Sequence, residues 1–267
     1  MPGLVLTSPD APPSRGTFSP DSARVDDVLP SPNHGERKDY SRPDSIILHY
    51  TGMPTAAAAI ALLRDPAAQV SSHYVVEESG RVLQLVPEAR RAWHAGISCW
   101  RGERDMNSAS IGVEICNPGH DGGLPDYTDR QIEAVIALCM DIARRCGVRP
   151  ERILAHSDIA PARKRDPGER FPWATLGAAG LGQWVDVGPM SGDVVFARSQ
   201  PPVRGLQTLL SLYGYDVELS GVYDAGTERA VAAFQRHFRP ARVDGLADAG
   251  VVETLRQLLA SLASAGG

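Results

Sequence analysis

This chain of 267 residues has no basic surplus, no apolar run of bilayer length and no close cysteine pair. Lys and Arg number 27 against 32 Asp and Glu, a net charge of −5, which leaves no basic footprint for neutralising phosphates and excludes nucleic acid as the expected partner. The longest apolar run, residues 56–63, falls far short of the ~20 residues a spanning helix needs, so no transmembrane segment is expected. Cys99, Cys116, Cys139 and Cys146 contain no CxxC spacing, which argues against a zinc knuckle or a thioredoxin-type redox motif. Cys139 and Cys146 lie two turns apart on one expected helix, about 10 Å by rise, beyond disulfide reach. The expectation is mostly buried free thiols in a reducing compartment. Residues 1–16 hold Pro2, Pro9, Asp10, Pro12 and Pro13 without a basic start and an apolar stretch, so as they stand they do not read as a secretory signal.

What is present reads as a foldable chain, 43% apolar and 22% charged. At ~150 residues per domain, its length suits one sizeable core plus a smaller module. Residues 1–42 are rich in Pro, Ser and Asp without periodicity and read as an extended or partly disordered arm. Residues 45–51 form a short apolar run ending at Gly52, which suits a buried strand. An Ala- and Leu-rich helix follows over 54–64, stopped by Pro66. The runs 73–78 and 81–86 flank Ser79-Gly80 and read as a hairpin. Over 111–116 the residues alternate: Ile111, Val113 and Ile115 share one face, Gly112, Glu114 and Cys116 the other.

The clearest helix is 128–147. Thr128 caps it with Gln131 three residues on, Ile132, Val135, Ile136, Cys139 and Met140 form its stripe, and Gly147 ends it. A further short strand is expected at 152–156. The fold class is therefore α/β (α+β), a mixed central sheet flanked by helices. This core spans 43–180, followed by a Gly-rich linker at 181–200. The region 201–264, with helices at 203–213, 227–238 and 249–262, reads as a small three-helix C-terminal domain.

Three polar residues stand where chemistry is plausible. His49 and His156 each end an apolar strand, and Asp166 lies in the loop just after the second. Two histidines and an aspartate are a catalytic-zinc donor type. Sequence spacing does not show that they converge, and His73, His94 and His120 compete as ligands. His120, in a Gly/Asp/Pro loop, reads as a solvated turn residue. Glu114 has two open readings: a desolvated acid/base with a raised pKa, or an outward-facing edge residue. Lys164 either brings a cation to the site of Asp166 or belongs to a solvated Arg163-Lys-Arg165 run.

Taken in order, several segments resemble the zinc-dependent N-acetylmuramoyl-L-alanine amidases of the AmpD and AmiD type, which share a fold with peptidoglycan recognition proteins. They are Ile47-Leu-His-Tyr-Thr-Gly52, Val70-Ser-Ser-His-Tyr-Val75, Arg91-Ala-Trp-His-Ala-Gly96, Asn107 with Ser110-Ile-Gly-Val-Glu114, Tyr127-Thr-Asp129, and His156-Ser-Asp-Ile-Ala-Pro-Ala-Arg-Lys-Arg-Asp-Pro-Gly168. The resemblance implies that His49, His156 and Asp166 hold Zn2+, that Glu114 is the catalytic acid/base and that Lys164 stabilises the transition state. It also implies that Trp93, His94 and Asn107 line the substrate groove. Arg163 is either a partner for a stem-peptide carboxylate or a solvent-exposed side chain. Asp158 either supports a ligand from behind or caps its loop. The C-terminal region resembles a three-helix peptidoglycan-binding domain through Val203-Arg-Gly-Leu-Gln-Thr-Leu-Leu, Tyr213-Gly-Tyr215, the segment from Ser220 to Thr227, Ala233-Phe-Gln235 and Val243-Asp-Gly-Leu246. It departs from the common pattern in carrying Tyr223 where a Phe is usual.

The implied activity is hydrolysis of the amide between N-acetylmuramic acid, in ordinary or 1,6-anhydro form, and L-alanine. The partner is peptidoglycan or a muropeptide, in wall turnover or recycling. Two alternatives stand beside it: a non-catalytic peptidoglycan-recognition module and a phage-type endolysin. The absent export sequence and the unpaired cysteines favour the cytoplasm over the periplasm or cell envelope. The wall-binding module pulls the other way.

Overall fold

The computed structural model describes residues 18–188 and 203–265. Residues 1–17 of the expected arm and most of the expected linker lie outside the described residues. The strands are β1 (Asp27–Val28), β2 (His34–Glu36), β3 (Ser45–Tyr50), β4 (Tyr74–Val76), β5 (Val82–Gln84), β6 (Arg90–Ala92), β7 (Ser110–Ile115) and β8 (Ile153–Ala155). The helices are α1 (Ala56–Arg64), α2 (Met106–Ala109), α3 (Asp129–Cys146), α4 (His156–Ile159), α5 (Trp173–Ala178), α6 (Val203–Tyr213), α7 (Ala225–Phe238) and α8 (Ala249–Ala265).

Six strands make one sheet in the order β1-β5-β4-β7-β3-β8. It is mixed, as expected: β4 and β5 pair antiparallel as the hairpin, while β4, β7, β3 and β8 run parallel. Helix α3 covers one face. Its buried Ile132, Val135, Leu138, Cys139 and Ile142 pack on Ile46 and Leu48 of β3 and on Ile111, Val113 and Ile115 of β7. Burying a large apolar side chain contributes about 1.5–3 kcal/mol, so this seam is a main source of stability. Thr128 caps the helix in a full capping box with Gln131, and Gly147 closes it in the left-handed conformation that spares a Cβ clash. Met140 lies outside the buried stripe, 41% exposed, because the stripe drifts toward Leu138 and Ile142.

Of the two readings of the arm, its described part, residues 18–42, takes the extended one and is paired to the core: β1 pairs parallel with β5, and β2 pairs antiparallel with β6. These strands are too short to show periodicity, and side chain to backbone bonds hold them. Ser31 Oγ donates to the Leu63 carbonyl at 2.6 Å, and Asn33 Nδ2 donates to the carbonyls of Asp65 and Val70 at 2.8 Å each. The Arg37 guanidinium donates to the carbonyls of Glu88, Asn107, Ser108 and Ser110.

The C-terminal helices pack against the sheet domain instead of standing apart. Trp100, fully buried, meets Tyr213 and Tyr215 edge-on at 5.8 and 5.1 Å between ring centres. Gly214 makes this possible, since a Cβ there would stand 2.6 Å from the indole. Buried Asp158 on α4 accepts from Tyr215 Oη and from His237 Nδ1, both at 2.7 Å, and from the Ala155 amide at 2.9 Å. His237 also stacks on Trp173 at 3.7 Å. All four cysteines are free; Cys99, Cys116 and Cys139 are buried and Cys146 is half-buried.

Two expectations follow. Replacing His237 with Ala strips one of three donors from a buried carboxylate and should lower unfolding stability by about 1.5–3 kcal/mol; a shift below about 0.5 kcal/mol in urea titration would show that the bundle is not docked through this contact. His73 is fully buried, with Nδ1 accepting from the Gly112 amide at 2.9 Å and Nε2 bonded to the Arg90 carbonyl at 3.0 Å. Burial, with the Arg37 charge adding, pushes its pKa down from 6.5 to about 3. The unfolded chain then binds the extra proton below pH ~6.5, so stability falls as pH drops from there toward about 3, by up to ~1.4 kcal/mol per unit from this histidine. Urea midpoints measured across that window should fall with acidity, and His73→Gln should flatten the slope.

Candidate metal centre

Strand register brings the candidate site together. In the parallel pair β3–β7, His49 stands opposite Glu114. In β3–β8, Leu48 stands opposite Ala155, so the next residues, His49 and His156, leave the sheet side by side. His49 is the penultimate residue of its strand, and His156 opens α4 just past the end of β8. These groups therefore gather at the carboxyl ends of three neighbouring parallel strands, where open α/β sheets form their binding crevices. They occupy the face away from α3, because Ile46, Leu48, Val113 and Ile115 fill the other.

Asp166 completes the cluster from the loop after α4, where its carbonyl accepts from the Ser157 amide at 3.0 Å. His49 Nδ1 is 2.8 Å from His156 Nδ1 and 3.0 Å from Asp166 Oδ2, and His156 Nδ1 is 2.9 Å from the same oxygen. The three side chains are all buried. Burial, with the neighbouring His156 adding, pushes the His49 pKa down to about 4, favouring the neutral imidazole a cation requires. Burial alone would raise Asp166, but His156 and His49 outweigh it and hold the carboxyl below its usual range. The cluster is a buried, convergent donor set consistent with a metal site.

Glu114 faces the same space. Its Oε2 is buried without a hydrogen-bond partner. Burial, with the Asp166 charge adding, pushes this carboxyl well above its ordinary range, and Lys164 opposes the shift. The edge-residue reading of Glu114 does not hold, because β7 is a central strand flanked by β4 and β3. Lys164 is half-buried and borders the same cleft of about 290 Å3, together with Tyr50, Trp93, His94 and the three cluster residues.

The other expected groove residues divide. Trp93 and His94 line the cleft, but His94 is also buried behind His49, its Nδ1 3.0 Å from His49 Nε2. Asn107 and Arg163 do not line the cleft. Asn107 Oδ1 accepts from the amides of His94 and Ala95 at 3.0 and 2.8 Å. The Arg163 guanidinium donates to the Ala95 carbonyl at 2.9 Å and to the Ile97 carbonyl at 2.6 and 3.0 Å. Arg163 is exposed, as one of its two readings had it, but these carbonyls hold its guanidinium, and contacts to main-chain oxygens leave no trace in sequence. His120 is not a solvated turn residue: it is half-buried, 3.0 Å from both Tyr50 Oη and Glu169 Oε2. Asp158 is a cap: it accepts from the Ala155 amide and anchors the bundle through Tyr215 and His237, while none of these bonds goes to a side chain of the cluster. Ser110 and Gly112, beneath His94, carried only one sequence signal, a glycine inside a strand, which marks close approach by another group.

Residues 39–169 match the family described as N-acetylmuramoyl-L-alanine amidase, and residues 199–255 match a peptidoglycan binding domain family. The chain is 40% identical over 224 residues to N-acetylmuramoyl-L-alanine amidase AmiD of Escherichia coli K12, covering 79% of this chain and 80% of that protein. It superposes on E. coli AmiD in complex with the substrate anhydro-N-acetylmuramic acid-L-Ala-D-γ-Glu-L-Lys with a TM-score of 0.72 and 35% identity, covering 86% of this chain and 98% of that one. It also superposes on Pseudomonas aeruginosa AmpDh3 in complex with anhydromuramic pentapeptide, with a TM-score of 0.68 and 32% identity, over 94% and 97% of the two chains. With the convergent cluster at its strand ends, the chain belongs to the N-acetylmuramoyl-L-alanine amidase family.

Proposed function

We propose that this amidase hydrolyses the bond between the lactyl group of N-acetylmuramic acid and L-alanine with Zn2+ held by His49, His156 and Asp166. The substrates are muropeptides and wall peptidoglycan, the 1,6-anhydro form included; the AmiD and AmpDh3 complexes, both with anhydro ligands, support that range. The observation that carries the reading is the donor triangle of 2.8, 2.9 and 3.0 Å facing a buried carboxylate that has no partner of its own. Two neutral imidazole nitrogens and one carboxylate oxygen fit zinc, since this donor number leaves a position open for catalysis. When bound, zinc would polarise the amide carbonyl as a Lewis acid and lower the pKa of a water to about 7.

The chain's own residues do the rest. Glu114 takes the proton of the attacking water on its carboxylate and later delivers it to the leaving amine nitrogen of L-alanine. Burial raises its pKa above the ordinary carboxyl range, which strengthens it as the acceptor of that proton. The Lys164 ammonium, at the rim of the same cleft, stabilises the developing oxyanion. Trp93 offers an apolar wall for the muramyl or peptide portion. The peptidoglycan-binding bundle would then present wall substrate to this cleft.

Incubating purified protein with zinc and a muropeptide should release peptide beginning at L-alanine, detected by mass spectrometry. Chelation should stop the release and added zinc restore it; no such peptide under any metal condition would sink the proposal. Glu114→Gln should cost about 10²–10⁴ in kcat while leaving zinc content unchanged. The base works only when deprotonated, so wild-type kcat/KM should climb with pH through a limb above the ordinary Glu value of 4.5, and the variant should lose that limb. An unchanged acid limb in Glu114→Gln would assign the base elsewhere.

A further inference from the structure

A neutral imidazole can carry its proton on either ring nitrogen, and only the bare nitrogen ligates a cation. Hydrogen bonds make that choice at both histidines of the cluster. His156 Nε2 lies 3.0 Å from the Ala95 carbonyl oxygen. A carbonyl only accepts, so Nε2 holds the proton and Nδ1 is bare.

At His49 the choice passes through two further groups. The Ser110 hydroxyl donates to the Met106 carbonyl, so its oxygen is the acceptor toward His94 Nε2, 3.4 Å away. His94 then holds its proton on Nε2 and turns a bare Nδ1 toward His49 Nε2, which must donate across the 3.0 Å between them. His49 Nδ1 is left bare, facing His156 and Asp166.

Both outer acceptors belong to one stretch, residues 93–97. Asn107 holds it through the amides of His94 and Ala95, and Arg163 holds it through the carbonyls of Ala95 and Ile97. Gly112 gives the His94 ring its place, since a Cβ there would stand 2.5 Å from it.

We propose that residues 93–97 are a strap that sets the tautomer of both histidine ligands, with His94 and the Ala95 carbonyl as positioning groups and Ser110 fixing the polarity of the His94 link. This rests on the metal reading of the cluster and assigns His94 a task behind the ligand, where groove contact alone was expected. Asn107 and Arg163 act on the metal at one remove, by fixing the strap. Loss of an outer partner of this kind typically weakens metal binding by about 10–100-fold.

The test uses the full-length chain with 15N-labelled histidine, before and after zinc addition. Long-range 1H–15N correlation spectra should show His94 protonated on Nε2 and bare at Nδ1; protonation on Nδ1 overturns the proposal. Zinc affinity, read by competition with a chromophoric chelator, should fall about 10–100-fold in Ser110→Ala and in His94→Leu. His94→Asn, which returns an acceptor near the Nδ1 position, should recover most of the loss seen with Leu. Equal zinc affinity in all four proteins, each with wild-type circular dichroism and melting in the metal-free state, also overturns it. Wild-type protein that binds no zinc would sink the metal reading by itself, and the His94 proton position in the same spectra would still decide the link.

Discussion

The constraint on which the rest depends is the register of β3 between β7 and β8. Three parallel strands in step deliver Glu114, His49 and His156 to one level, and a shift of one residue would turn each side chain to the opposite face. That register is secured by the apolar face. Ile46, Leu48, Ile111, Val113 and Ile115 lock onto α3, so the burial that stabilises the sheet also aims the polar groups away from it. Polar side chains crowded into a buried pocket would be costly without partners. Here each of the three donors finds the other two, while Glu114 keeps a buried oxygen unpaired, as suits the proton carrier proposed above.

The surroundings of this level are built largely from backbone carbonyls. Arg37 gathers four of them, those of Glu88, Asn107, Ser108 and Ser110, and Arg163 holds those of Ala95 and Ile97. A guanidinium suits such work because its fan of donors can meet several acceptors without losing its charge. Arg163 thereby fixes the stretch that carries Trp93 and His94 into the cleft, which Lys164 and Tyr50 also border.

Sequence reasoning reached what local chemistry encodes. Helix α3 was legible from its cap, its stripe and its terminal glycine, the hairpin from Ser79-Gly80, and the bundle helices from their periodicity. The candidate donors were legible by residue type and by their place at strand ends, but their convergence was not, because parallel pairing joins residues 107 positions apart and leaves no local mark. Strands β1, β2 and β6 escaped for a different reason. They have two or three residues each and are fixed by Ser31, Asn33 and Arg37 reaching distant backbone, so no alternation exists to be seen. Arg163 and Asn107 look like free polar residues in sequence for the same cause: their partners are main-chain atoms, which every residue possesses.

Asp158 joins the two halves of the molecule at its most sensitive point. One of its oxygens accepts from Tyr215, the other from His237 and from the amide of Ala155, which immediately precedes the ligand His156. The same carboxylate thus caps the helix that begins with a proposed metal ligand and anchors the peptidoglycan-binding bundle. Undocking the bundle would leave that carboxylate with one partner out of three and would expose Trp100 and Ile159, which share its core. Removing residues beyond 201 therefore perturbs the helix of His156 as well as the affinity for the wall. Loss of activity on sacculi after such a truncation does not by itself measure wall binding; soluble muropeptide turnover by the same truncated chain separates the two, because only a disturbed metal site lowers both.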